Sequence, residues 1–540
     1  MACDGRGIVA LAESPARFLR TSRNADERST LVLVALVAGL DLALHLALIG
    51  RYGYWIDELY FIACGEHLDW GYVDHPPVIG VAARLSRLLF GDSLFALRLF
   101  PALAAAGLVF LTARIARAFG GGRAAQIIAA VATCAVPTYA LFGNVLTMNS
   151  FEPLFWMGCA LTLIHMANGA SPRLWLAFGA IAGVGMLNKH SMAFFAAALI
   201  IGLLVSPQRR LLRTRWLCLG ALVALAIALP NLLWELAHGF PTVELLANAK
   251  RFQHQPVTPL EFIWGQVQIA HPALAPLWLA GVWFLLFSPR AERYRFLGWT
   301  FVLQFGVFLW IEAKNYYLAP IYALLLAAGA VAIEPRRAWV TAAVLAWILL
   351  GFVVLAPYVL PILPVQDLPA YLEKLGMKEV RSETRPMGNV PQIFADMLGW
   401  DELVAGVARV YRGLPPEDRR RAIIWGGYYG PAGAVDYLGR AYGLPTAISG
   451  HQNYYYWRPE HLSGDVVIAV AISEKALAPW FESVQLAGEV TCDLCMPDRR
   501  VTRIYVCRGL RMPMDEFWPL TKCWTCDKPA FVNGPAKPPS

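Results

Sequence analysis

Apolar runs of about 18 residues or more recur from residue 31 to residue 360 and are separated by short Arg-bearing loops, the pattern that a bilayer core of roughly 30 Å selects. The runs begin near residues 31, 94, 124, 150, 173, 191, 216, 272, 297, 316 and 338. Held to about 17–22 residues each, they predict about eleven transmembrane helices. Two intervening segments are long, 50–93 and about 235–271, and long segments outside a membrane can build a site. From residue 361 the pattern changes: Pro361 and Pro364 end the last run and charged residues become frequent. Helical patterns at 391–411, 431–442 and 473–484 there alternate with β-like runs at Ile423–Trp425, Val466–Ala471 and Arg503–Cys507, which predicts a small α/β layer. The expected architecture is a polytopic α-helical membrane domain over 31–360 with a tail at 1–30 before it and an α/β domain at 361–540 after it.

Composition agrees with this pattern. The chain is 57% hydrophobic and only 16% charged, against roughly 25% charge in ordinary soluble domains. Its net charge of +8 does not form a nucleic-acid patch, because the basic residues sit at the ends of apolar runs. Membrane lipids, not nucleic acid, are the expected partners of that charge. Arg17, Arg20 and Arg23 precede the first run, Arg114, Arg117 and Arg123 follow the second, and Arg209, Arg210, Arg213 and Arg215 follow the sixth. Arg290, Arg293 and Arg295 follow the eighth, and Arg336 and Arg337 the tenth. With eleven crossings all these clusters fall on one side, which the positive-inside rule makes cytoplasmic. The N-terminus is then cytoplasmic, the C-terminal domain lies outside, and the first run is an uncleaved anchor.

Candidate chemistry gathers at that outer side. The first long segment carries Asp57-Glu58 and then Asp74-His75 before Pro76-Pro77. Carboxylates beside a bilayer are costly and mark function, and one of them can take a proton from an acceptor hydroxyl. The plainer reading of Asp57 is a helix cap. Lys189 and Lys314 are, with Glu312, the charged residues of short outer turns, and with Arg98 they are candidates for stabilising an anionic leaving group or, alternatively, for reaching lipid headgroups. Asn149 can bind a sugar hydroxyl or cap the fourth span, and Glu152 stands three residues on. Tyr316 and Tyr317 can cover a sugar or join the interfacial aromatic belt. Glu235 and His238 share a helical spacing, so a divalent metal held by them with Asp74 and His75 is an open alternative that no spacing demands.

The combination of Asp57-Glu58, Gly71-Tyr-Val-Asp74-His75-Pro76-Pro77, Thr147-Met148-Asn149 and Lys314-Asn315-Tyr316-Tyr317 resembles the bacterial branch of the protein O-mannosyltransferases, in glycosyltransferase family 39, and their relatives the lipid A aminoarabinose transferases. The resemblance implies the GT-C fold in the inner membrane and a polyprenyl-phosphate-linked sugar donor. It implies inversion at the anomeric carbon and a lipid, glycan or protein acceptor at the periplasmic face. It also implies catalysis by the acidic pair, with Asp57 as general base and Glu58 its neighbour. Donor and phosphate binding would fall to Lys189, Lys314, Arg98 and Tyr316, and substrate binding to Asp74, His75, Asn149 and Glu152. Asn149 stands where many relatives have an Asp. A transporter or flippase of a lipid-linked sugar is the rival reading and calls for internal repeats, which the sequence does not show.

Five of the ten cysteines lie in the last 50 residues, among them Cys492-x-x-Cys495 and Cys523-x-x-Cys526. Either two disulfides or a zinc knuckle fits this spacing. The aromatic stretches Trp425–Gly430 and Ser449–Trp457 suit either acceptor recognition or a buried aromatic cluster.

Overall fold

The computed structural model describes residues 15–253, 255, 257–377, 385–460, 462–526 and 528–533; the Pro-containing tail read at 533–540 lies almost wholly outside them. A helix occupies every position where an apolar run was predicted, but not every run is one long helix. Among the described residues five helices are long and apolar enough to cross a membrane: Asp26–Leu48 within the helix Pro15–Leu48, Leu94–Ala118, Arg215–Ala237, Asn315–Ile333 and Ala338–Val359. A sixth arises if Pro259–Ile269 and Pro272–Phe287, bent by 89°, form one span. The expected eleven thus meet five or six by length and composition. Of the other runs, those near 150 and 297 are single helices, Met148–Ala167 and Arg295–Trp310, and the one near 124 is broken. Arg123–Cys134 stops short of Pro137, whose missing N–H starts the separate helix Pro137–Phe142. Asn188-Lys189-His190 forms the expected turn between the shorter helices Leu174–Asn188 and Ser191–Leu204.

Small residues let these helices approach closely, as packing within lipid favours. A Cβ on Gly179 would stand 2.0 Å from the Gly220 carbonyl oxygen, so Leu174–Asn188 and Arg215–Ala237 touch backbone to backbone.

Segment 50–93, read as a long loop, is largely helical: Ile56–Glu66 and Val78–Phe90. Its apolar residues are too dense for a solvated loop, and Leu59, Tyr60, Ile62, Cys64, Ile79 and Ala83 are buried.

The C-terminal sheet has five strands among the described residues: β1 (Ile423–Gly426), β2 (Ala447–Ile448), β3 (Val466–Val470), β4 (Phe481–Thr491) and β5 (Val501–Leu510), in the order β2-β1-β3-β5-β4. The first three are parallel, and β5 pairs antiparallel with both β3 and β4. Strand β3 is buried along its whole length because both faces are covered. Val466, Ile468 and Val470 meet one cluster; Val467 and Ala469 meet Trp425, Phe517 and Phe531 on the other. Helix Trp400–Gly413 covers the first face with Trp400, Leu403, Val404, Val407 and Ala408, a single apolar stripe. The predicted helix 473–484 shrinks to Glu474–Leu477, since Pro479 cannot continue it and Phe481 onward pairs with β5. Both Cys492–Cys495 and Cys523–Cys526 are disulfides, which resolves the open alternative, and Cys507 is a buried thiol.

This layer sits on segment 50–93. Helix Tyr429–Leu438 lies against Ile56–Glu66, where a Cβ on Gly433 would come within 3.1 Å of the Leu59 backbone. Arg440 binds Glu66, the Tyr54 and Tyr437 hydroxyls are 2.9 Å apart, and the Val73 N–H donates to Asn453 Oδ1 at 2.7 Å.

Candidate functional site

Asp57 and Glu58 occupy the first turn of Ile56–Glu66, where the positive end of the helix favours carboxylates. Successive helical residues point about 100° apart, and the two acids have different fates. Glu58 is fully buried. It accepts from Arg98 Nε at 2.8 Å and Nη2 at 2.7 Å, from the Leu146 N–H at 2.9 Å and from the Trp55 N–H at 2.8 Å. Arg98 is equally buried and spends its other donors on the carbonyls of Ile49 and Gly53. Glu58 was expected in catalysis and Arg98 on the donor phosphate; the fold pairs them with each other, and each neutralises the other's charge. Glu58, not Asp57, also caps the helix. The pair ties the span Leu94–Ala118 to the turn that presents Asp57 and to the Leu146–Asn149 loop.

Asp57 points the other way, half-buried, and its Oδ1 accepts a 2.6 Å hydrogen bond from the Tyr429 hydroxyl of the C-terminal layer. The Tyr429 ring lies 5.1 Å from that of Tyr60, whose hydroxyl donates to Asp74 Oδ1 at 2.9 Å. Burial and then the Asp57 charge, with Asp74 contributing further, push the Tyr429 phenol well above its ordinary range, so it stays a donor. Asp57, Tyr429, Tyr60 and Asp74 form one connected group.

His75 stands behind this group. Its Nδ1 donates to the Pro76 carbonyl at 2.9 Å, and its Nε2 lies 3.8 Å from Asp74 and 3.7 Å from the Cys64 sulfur. Burial lowers its basicity, so the ring is neutral and Nε2 carries the lone pair. It was expected in substrate binding, and at 1% exposure it lies buried beneath Asp74.

A second group gathers four of the expected residues. Lys189 Nζ donates to Asn149 Oδ1 at 2.7 Å and Glu152 Oε2 at 2.9 Å. It stands 4.9 Å from the Tyr317 ring centre and 5.7 Å from that of Tyr316. Ser191 closes the group by donating to the other Glu152 oxygen. The cap of helix Met148–Ala167 is Thr147, which leaves Asn149 facing the lysine. Lys314 starts the 3₁₀ segment Asn315–Ile321 that carries both tyrosines and is half-buried. An ammonium has three donors, and Lys189, 17% exposed, commits two of them to these side chains. Asn188 Nδ2 donates to the Met148 carbonyl, fixing the lysine turn to the same loop that Glu58 holds. The two groups are thus joined through residues 146–149.

Glu235 and His238 do not join Asp74 and His75. Glu235 accepts from Thr242 at 2.5 Å, and the His238 ring stacks on Trp234 at 4.1 Å. Among the described residues no cluster of three or more His, Cys, Asp or Glu could hold a metal, so the metal alternative finds no donor set. Sequence reasoning missed Tyr60 and Ser191 as parts of the site and named Tyr429 only within an aromatic stretch. The tyrosine pair in Gly427-Tyr428-Tyr429-Gly430 was the available signal for Tyr429.

A bundle of apolar helices whose first long connection presents a carboxylate beneath a C-terminal α/β layer is the GT-C architecture of membrane glycosyltransferases. One match among solved structures is the crystal structure of ArnT from Cupriavidus metallidurans bound to undecaprenyl phosphate, with a TM-score of 0.59, 16% identity, and 87% of this chain and 97% of that one covered. The family described as dolichyl-phosphate-mannose-protein mannosyltransferase matches residues 74–234. The chain is 25% identical over 251 residues to the lipid A galacturonosyltransferase RgtD of Rhizobium johnstonii, covering 46% of this chain and 52% of the relative. It is 26% identical over 238 residues to the undecaprenyl phosphate-alpha-4-amino-4-deoxy-L-arabinose arabinosyl transferase of Pseudomonas aeruginosa, covering 39% and 41%. The chain thus matches about half the length of these curated relatives. The resemblance read from its motifs holds in all three comparisons.

Proposed function

We propose that this protein is an inverting glycosyltransferase of the inner membrane that moves a sugar from a polyprenyl-phosphate donor to a lipid-anchored saccharide such as lipid A, at the periplasmic face. Its N-terminus is cytoplasmic and its C-terminal layer periplasmic. The observation that carries the reading is the Asp57 carboxylate, held by Tyr429 and joined through the 146–149 loop to the Lys189 group.

In this reading Asp57 takes the proton of an acceptor hydroxyl. The freed oxygen attacks the anomeric carbon, and the bond from that carbon to the phosphate oxygen breaks with its electron pair going to phosphate. Lys189 turns its third donor to that oxygen, and Lys314 adds charge from the Tyr316 segment. Asn149 and Glu152 hold the lysine in place, and Tyr316 and Tyr317 flank it. Asp74, 22% exposed, faces the acceptor side. The names of the relatives, both sugar transferases and one of them acting on lipid A, support the substrate class.

The test is release of undecaprenyl phosphate by purified protein given lipid A and a panel of undecaprenyl-phosphate sugars, including galacturonic acid and 4-amino-4-deoxyarabinose. Wild type releases it with at least one donor, and Asp57→Asn lowers the rate by about 10²-fold or more. Full activity in Asp57→Asn, with transfer intact in wild type, overturns the assignment of the base.

A further inference from the structure

The C-terminal layer holds a groove of about 820 Å³ that the reaction as described leaves unused. It opens where β1 and β3 end side by side. The chain leaves β1 through helix Tyr429–Leu438 to reach β2 on one side, and it leaves β3 towards β4 at the opposite edge. Connections that part in opposite directions from the carboxyl ends of adjacent parallel strands leave the crevice in which open α/β sheets bind ligands.

Tyr428, Ser473, Glu474, Lys475, Thr502 and Tyr505 line the groove. Hydroxyls, a carboxylate and an ammonium around two aromatic rings suit a ligand with polar edges and a flat apolar face, which is the chemistry of a sugar. The volume falls in the range of about 300–1,000 Å³ that encloses a ligand larger than one ring. One wall is braced from behind. Arg499 donates to Asp396 Oδ1 and to the Leu398 carbonyl and lies 3.7 Å over the Trp400 ring, while Arg385 holds Asp498. At the end of β3, Ala471 has φ +59°, a left-handed conformation that a side chain rarely adopts and that persists only where the surroundings enforce it. Its carbonyl comes so close to Gly427 that a Cβ there would stand at 2.6 Å.

One residue of the groove wall, Tyr428, is the chain neighbour of Tyr429. The Tyr428 and Tyr429 rings are 6.2 Å apart, and the Tyr429 hydroxyl touches Asp57. We infer that this groove binds the saccharide portion of the acceptor and directs one of its hydroxyls to Asp57. The inference rests on the glycosyltransferase reading above and names the part of the acceptor recognised by the C-terminal layer.

Ser473 is exposed and makes no capping bond with its side chain, so Ser473→Trp fills the groove without removing a structural contact. Thr502→Trp does the same from the β5 wall. The experiment measures KM for lipid A, kcat, binding of undecaprenyl phosphate and thermal unfolding for wild type and both variants. It adds deacylated lipid A, which keeps the saccharide and lacks the acyl chains, as a competitor. The expected result is a KM for lipid A raised about tenfold or more in either folded variant, with donor binding and unfolding temperature unchanged. Deacylated lipid A competes with the acceptor on wild type and about tenfold less well on the variants. An unchanged KM with unchanged inhibition in a folded variant overturns the inference while leaving the enzyme reading intact. Wild type that transfers nothing to lipid A from any donor overturns the acceptor reading and this inference with it.

Discussion

The Tyr429 hydroxyl and the Asp57 carboxylate meet at 2.6 Å although 372 residues separate them in the chain. The contact ties the C-terminal layer to the carboxylate proposed as the general base. A hydrogen bond donated to a carboxylate favours its charged form, and Tyr429 stays protonated because burial and the neighbouring carboxylates oppose its ionisation.

Tyr429→Phe keeps the ring against Tyr60 and removes only the donor. Loss of a hydrogen bond to a charged group, worth about 1.5–3 kcal/mol, should lower kcat by roughly ten- to a hundredfold. The acidic limb of the pH–rate profile should move to higher pH, since the carboxylate loses a partner of its charged state. A purely structural role for Tyr429 predicts instead a lower unfolding temperature with an unmoved profile.

The Glu58–Arg98 pair should behave as a brace. Removing one partner of a buried ion pair strands a charge and costs about 3–5 kcal/mol. Arg98→Met is therefore expected to lower the yield and unfolding temperature of the purified protein sharply, and Glu58→Gln to do so less, because Gln still accepts from Arg98 and Leu146. The double replacement Glu58→Leu with Arg98→Met should recover much of the loss in thermal unfolding. Single variants as stable as wild type would show that the pair is dispensable.

Lys189 and Glu152 should separate in a donor-binding measurement. Lys189→Met removes the cation and is expected to weaken binding of undecaprenyl phosphate by about tenfold or more. Glu152→Gln removes the competing anion from a lysine that still meets Asn149, so donor affinity should hold or increase. Equal weakening by both substitutions would show that the pair only packs the loop.

These relationships explain what was legible beforehand. Apolar length marks where helices lie, because a bilayer imposes it regardless of partners, and Asp57 and Lys189 stood out as charges beside such runs. Whether a run crosses in one piece depends on breaks such as Pro137, and on packing between helices, which composition does not encode. Glu58 and Asp57 are neighbours in sequence, yet only the fold decides that one turns inward to an arginine 40 residues away and the other outward to Tyr429. The first residues of strand β4, 481–484, were read as the end of a helix that closes at Leu477, while the antiparallel partner that makes Phe481 onward a strand lies beyond residue 500. Segment 50–93 read as a loop because its polar residues drew attention from an apolar core that it builds jointly with the C-terminal layer.

That joint core carries a pH signature at Asp436, in the helix that lies on Ile56–Glu66. Burial raises its carboxyl from the ordinary 3.8 to about 7, although the Ala447 N–H and the Tyr454 hydroxyl both donate to it. The folded state therefore binds a proton between about pH 4 and 7 that the unfolded chain does not hold. By linkage, the contribution of this group to stability is lowest above pH 7, rises as the pH falls and levels off below about 4. Asp436→Asn keeps the shape and has no charge to bury. Thermal unfolding of wild type and Asp436→Asn across pH 5 to 8 should show the variant gaining on wild type as the pH rises, with the two converging towards pH 5. A constant difference between the curves would mean that Asp436 does not titrate in this range.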